Sequence, residues 1–436
     1  MGLSAHYGSR SVDAFDAVRN IQSGQHVYLT GNCGVPRVLL AALVACAPQL
    51  TDVEIYQPLT ITGVEYLQPE MEGHLHVTSL FISPNVRSAI NTGKADFIPV
   101  LLSELPLLFK RKIIPLDVAF LHCSPPDAEG FCSLGTEAGL SLTIAEAAHY
   151  RFAEINPQMP RTYGDTLIHV SQLDQVIPVD YPLSELQMIS EGPSDVIEKI
   201  ALNITDRISD GATLQLGIGS IPNAVLGYLH TKQNLGIHAE LISDGIIDLV
   251  EQGVINGSQK TLHPGKLVAG FVLGTRRIYD WVHENLAVEL HRTEYVNSPL
   301  VISQNARMTA INSALQIDLT GQVCPDSIGT RFYSGAGGQF DFIYGASLAE
   351  EGLPIIGLPS TYTDREGILK SRIVPTLTLG AGVVTTRYHV HLVATEYGIV
   401  DLYGKSIRQR AQLLCQIAHP AFQDELLRQA RALNYV

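Results

Sequence analysis

Short aliphatic runs bounded by turn residues recur along the chain: HVYLTG at 26–31, KLVAGFVLG at 266–274, LPIIGLP at 353–359 and HVHLVAT at 389–395. Their length and branched aliphatic content predict buried strands. Between them lie stretches with apolar residues at helical spacing, VPRVLLAALVACAP at 35–48 and PSDVIEKIALNITDRI at 193–208. The second opens on Ser194 and Asp195, either of which suits a helix N-cap. Strands alternating with helices of this length predict an α/β protein with largely parallel sheets.

The segment PLSELQMISEGPSD at 182–195 carries two prolines, a glycine and several acids, and reads as a seam between domains 1–190 and 191–436. A strand, a glycine turn, a proline and a helix follow one another twice, in GNCGVPRVLLAAL (31–43) and GIGSIPNAVLGYL (217–229). The pair points to two related open α/β halves, although a match this short also arises by chance.

Composition narrows the class. At 436 residues the chain exceeds a typical single domain. The net charge of −14, with no basic stripe, argues against a nucleic-acid partner. Six cysteines (Cys33, Cys46, Cys123, Cys132, Cys324, Cys415) lack paired spacing, so reduced core thiols are expected rather than a metal cluster or disulfides. The N-terminus MGLSAHYGSR has no apolar segment, and no run approaches the ~18 apolar residues of a membrane span. A soluble, cytoplasmic protein is expected.

Three stretches carry candidate chemistry. In LQLGIGSIPNAV (214–225), a strand ends in Gly217-Ile218-Gly219 ahead of a helix, so backbone N–H groups can face an anion. The stretch lacks the third glycine and the acid of a dinucleotide fingerprint. In LGIHAELISDGIIDLVEQGVI (235–255), Glu240 interrupts an apolar strand, where a carboxylate is costly unless paired or functional. An edge or ion-paired position is the simpler alternative, and His238 reads as its structural neighbour. In SGAGGQFDFIYGA (334–346), glycines precede a strand-like apolar run and suggest a backbone that approaches a ligand closely.

Together with FISPNVRSAINTGKADFIPVLLSELP (81–106), SPPDAEGFCSLG (124–135), EYVNSPLVI (294–302) and the tail SRIVPTLTLGAGVVTTRYHVHLVATEYGIVDLYGKSIRQRA (371–411), these stretches resemble the acetyl-CoA hydrolase/transferase family, a branch of the glutamate-dependent CoA-transferases. The resemblance covers nearly the whole chain. It implies two α/β domains of the CoA-transferase (NagB/RpiA-like) type, with the catalytic glutamate falling on Glu240. Relatives carry Thr at the position of Ala239 and often Gly at that of Ser220. The implied reaction passes CoA from an acyl-CoA, such as acetyl-CoA or butyryl-CoA, to a short carboxylic acid through a glutamyl-CoA thioester. Acetate with 4-hydroxybutyrate is the first expected acid pair, and acetate with butyrate or succinate the second. An acyl-CoA hydrolase on the same fold, or a non-catalytic CoA-binding protein, are the alternatives.

On that reading the Ile218 and Gly338 amides are candidate oxyanion donors. Gly217, Ile218, Gly219, Ser220 and Ile221, with Gly337, Gly338 and Gln339, are candidates to line the CoA channel. Asn297 matches a family active-site position, the alternative there being a structural turn residue. Lys370, Arg372 and Arg387 are candidates for the CoA phosphates or for surface ion pairs. His74, His76, His389 and His391 read as packing or surface residues. CoA is expected as a co-substrate, with no tightly bound cofactor, no metal and no membrane or nucleic-acid partner, in a homodimer or higher homo-oligomer.

Overall fold

The computed structural model describes residues 7, 10–61, 63–186 and 194–436. Packing divides the chain into two compact units. Unit 1 takes Met1–Gln187, Glu240–Asp244 and Val268–Val296, and unit 2 takes Met188–Ala239, Gly245–Leu267 and Asn297–Val436. The expected boundary at residue 190 lies outside the described residues, as does half of the seam at 182–195. The division adds that Glu240 and its four successors belong with the N-terminal part of the chain.

Unit 1 is built on strands β1 (His26–Leu29), β2 (Val53–Gln57), β3 (Leu75–Ser79), β4 (Asp96–Phe97), β5 (Val118–Cys123), β6 (Tyr150–Ile155) and β7 (Gln175–Pro178). They form one parallel sheet in the order β7-β6-β5-β1-β2-β3-β4. Strand β5 is buried along its whole length, as a parallel strand covered on both faces should be. Helix α1 (Arg37–Cys46) follows β1 and starts directly after Pro36, a position where the missing proline N–H costs nothing. Its Leu39 and Leu43 join Val27, Ile55, Val77 and Phe120 in one buried cluster. The buried Glu154 of β6 accepts the Leu39 N–H at 2.7 Å and the Tyr181 hydroxyl, so a carboxylate of unit 1 closes the first turn of α1.

In unit 2, helix α2 (Asp195–Thr205) is capped by Ser194, whose Oγ accepts the Ile197 N–H at 3.4 Å. Strand β8 (Thr213–Leu216) leads into helix α3 (Ser220–Tyr228) and strand β9 (Gly236–Ile242), within which the unit division falls. Strands β10 (Met308–Ser313), β11 (Leu353–Gly357), β12 (Leu392–Thr395) and β13 (Gly398–Asp401) complete the order β13-β12-β11-β10-β8-β9. All neighbours are parallel except the β12–β13 hairpin.

The run β12-β11-β10-β8-β9 repeats β7-β6-β5-β1-β2 strand for strand, in the same chain order and with a helix after each glycine turn. The expected α/β class and the two related halves are therefore present. Among the described residues, no helix is long and apolar enough to cross a membrane.

Two local expectations are corrected. FDFIYGA is not a strand but the body of helix α4 (Gln339–Leu348). Buried Phe342, Ile343 and Ala346 sit at helical spacing, and so short an apolar run fits either period. Of HVHLVAT, only Leu392–Thr395 is strand. His389 stands edge-on to the rings of Phe340 and Tyr344, 5.0 and 4.9 Å between centroids, which is a packing role.

Candidate active site

In unit 2 the chain leaves β8 towards β9 and returns on the opposite side as β10. Connections that part in this way open a crevice at the carboxyl ends of the two central strands. Both glycine stretches lie there. The first is anchored where the Gly217 N–H donates to Ile311 O at 3.3 Å. Gly219 precedes α3 with φ +139°, a conformation that L side chains rarely adopt. Having no side chain, it leaves the first N–H groups of α3 uncapped by the preceding residue. The Ile218 side chain is 40% exposed and Ser220 is exposed, whereas Ile221 turns inward and is buried.

Gly337, at φ +55°, and Gly338 lead into α4. Gln339 ties that loop to the end of β10: its Nε2 donates to Ser313 O at 2.7 Å, and its Oε1 accepts the Thr385 hydroxyl at 3.1 Å. Its amide thus holds the loop in place. Neither the Ile218 N–H nor the Gly338 N–H has an acceptor among the described residues.

Sequence reading missed the support beneath the first turn. Gln215 of β8 and Asn312 of β10 are buried and exchange side-chain hydrogen bonds, and Asn312 Oδ1 lies 3.7 Å from where a Gly217 Cβ would stand. The available signal was an amide in each of two otherwise apolar strands. Asn297 is also buried, and its Nδ2 has no hydrogen-bond partner among the described residues. An unsatisfied buried donor is costly, so this amide is suited to a ligand oxygen.

Within unit 1, Glu240 is the one residue of β9 that is not buried. Its carbonyl oxygen would lie 3.1 Å from a Cβ on Gly270, so that glycine lets the neighbouring main chain close against it. The Gly139 N–H donates to Gly270 O at 2.9 Å and extends the layer. Asp244 fixes the turn after the strand, accepting the Thr275 N–H at 2.9 Å and its hydroxyl at 2.6 Å.

The acetyl-CoA hydrolase/transferase N-terminal domain is matched over residues 3–184, and the C-terminal domain of the same family over residues 274–430. The chain belongs to the acetyl-CoA hydrolase/transferase family. It is 45% identical over 421 residues, 97% of each chain, to the 4-hydroxybutyrate coenzyme A transferase of Clostridium kluyveri. It is also 45% identical to the succinyl-CoA:acetate/propanoyl-CoA:succinate CoA transferase of Fasciola hepatica, over 93% of this chain and 84% of that one. The structure of a 4-hydroxybutyrate CoA-transferase from Porphyromonas gingivalis superposes with a TM-score of 0.85 at 35% identity, covering 99% of this chain and 100% of the other. Family and relatives alike mark an enzyme of CoA transfer.

Proposed function

We propose that the protein moves CoA from acetyl-CoA or butyryl-CoA to a short carboxylic acid, 4-hydroxybutyrate foremost, with Glu240 as the covalent carrier. The observation that carries this reading is the solvent access of Glu240 alone on a buried strand, joined to the names of the relatives. A Glu240 carboxylate oxygen attacks the thioester carbonyl, the C–S bond breaks, and CoA thiolate leaves an acyl-glutamyl anhydride. The thiolate then attacks the glutamyl carbonyl, releasing the donor acid as carboxylate and leaving a glutamyl-CoA thioester. The acceptor carboxylate runs the same steps in reverse, so thioester energy is retained and kinetics are ping-pong.

Each addition puts negative charge on a carbonyl oxygen. The free Ile218 and Gly338 N–H groups are the proposed donors to it, and the Asn297 amide orients a reacting oxygen. Backbone at Gly217, Gly219, Ser220, Ile221 and Gly337, with the loop held by Gln339, lines the path for pantetheine. CoA enters as a co-substrate in a cytoplasmic homo-oligomer.

The deciding assay follows acyl-CoA with and without an acceptor acid. Transfer predicts CoA exchange only when the acid is present. Free CoA released at the same rate without acceptor overturns the transferase reading in favour of hydrolysis.

A further inference from the structure

Among the described residues of unit 2, Arg372 is a partly buried cation that no carboxylate pairs. It follows a small hairpin in which Thr361–Thr363 pairs with Leu369–Ser371, setting Tyr362 opposite Lys370. The Arg372 N–H donates to Ser360 O at 2.8 Å. Its Nη1 donates to Leu315 O at 3.0 Å and its Nε to Thr361 O at 3.4 Å. The guanidinium carbon stands 5.0 Å from the centre of the Tyr362 ring.

Two carbonyl bonds use two of the five guanidinium N–H donors and neutralise none of the charge. Burying an arginine this way is costly unless an anion meets it. Lys370 adds a second positive group across the hairpin, with its Nζ 3.8 Å from Asp364 and its side chain 47% exposed. A carboxylate-free guanidinium fork beside an aromatic face, with a lysine nearby whose charge Asp364 only partly offsets, suits the oxygens of a phosphate attached to a purine nucleoside.

We propose that Arg372, with Lys370 and the Tyr362 ring, forms a binding site for a phosphate of CoA. The proposal rests on the CoA-transfer reading and adds where the nucleotide end is held. Arg372 anchors the phosphate by its remaining N–H donors, and Lys370 strengthens the field.

The test measures the affinity of CoA, 3′-dephospho-CoA and pantetheine for the wild type and for Arg372→Gln, by calorimetry, together with the KM of the acceptor acid. The expected result is a loss of CoA affinity of roughly tenfold to a hundredfold, the scale of a hydrogen bond to a charged group, with pantetheine unaffected. If dephospho-CoA binds the two proteins equally, the 3′-phosphate is the partner; if it loses affinity as CoA does, the diphosphate is. Either supports the site. Unchanged CoA affinity, or a raised KM for the acid alone, overturns it.

Lys370→Gln, on the exposed hairpin strand, gives the same comparison without touching the backbone carbonyls that Arg372 holds. A several-fold loss for CoA alone is expected there. A wild type that exchanges CoA while both variants bind it normally sinks the phosphate site only. A wild type that binds no CoA sinks the function with it.

Discussion

Gln215 and Asn312 face each other across two buried parallel strands, Asn312 Nδ2 donating to Gln215 Oε1 at 2.9 Å and Gln215 Nε2 returning a 3.4 Å bond. Each amide satisfies the other where water does not reach. Replacing either one by Leu strands its partner and should cost about 1–3 kcal/mol, seen as a lower midpoint in thermal or urea unfolding. The double Leu variant should recover part of that loss. A double variant worse than the sum of the singles would contradict this pairing.

Glu240→Gln keeps the shape of the strand and removes the nucleophile. CoA exchange should fall to background while the variant still folds cooperatively, since Gln keeps the size and shape of Glu at this partly buried position. Borohydride reduction after incubation with acyl-CoA, followed by mass spectrometry, should mark Glu240 in the wild type only. Turnover at the wild-type rate in the variant would end the proposed role.

Gly219→Ala isolates backbone conformation from crowding. The nearest atom to its added Cβ is Pro222 Cδ at 4.0 Å, so there is room, but φ +139° is unfavourable for alanine. A strain of about 1–3 kcal/mol is expected, relieved by a shift of the turn. kcat should drop while the midpoint of unfolding falls modestly. Unchanged kcat would separate this turn from catalysis.

Much of this was legible in the sequence. The strand at 26–29, helix α1 and the Ser194 cap of α2 follow from period and punctuation, and Glu240 announced itself as the lone acid of an apolar strand. What local pattern does not hold is which faces meet. FDFIYGA has no periodicity that separates helix from strand, and its state is decided by packing on β10 and β11. Ile221 belongs to a glycine turn in sequence yet turns into the core. The Gln215–Asn312 pair and the Glu154 contact join residues far apart in the chain, and only the fold reveals them.

Glu154 also sets a pH dependence. Burial pushes its carboxyl from an ordinary 4.5 up to about 7, against the opposing pull of the Tyr181 hydroxyl and the Leu39 N–H. The folded protein therefore keeps a proton that the unfolded chain releases, and stability contributed by this group falls as pH rises from about 4.5 to about 7. The full change is about 3 kcal/mol at most. His122, pushed down to about 3 by burial, acts in the opposite sense below its ordinary 6.5. The informative quantity is thus the difference between wild type and Glu154→Gln, whose unfolding midpoints should converge or cross as pH drops from 8 to 5. A pH-independent difference would show that Glu154 does not titrate in that range.

Helices α1 and α3 occupy equivalent places in the two repeated strand orders, each starting after a glycine turn. The first is stoppered from within by Glu154 and Tyr181, and the second begins at a glycine that has nothing to offer it. One copy of the repeat thus spends a buried acid on closing its helix mouth, while in the other the first N–H groups of the helix are left without a side-chain cap.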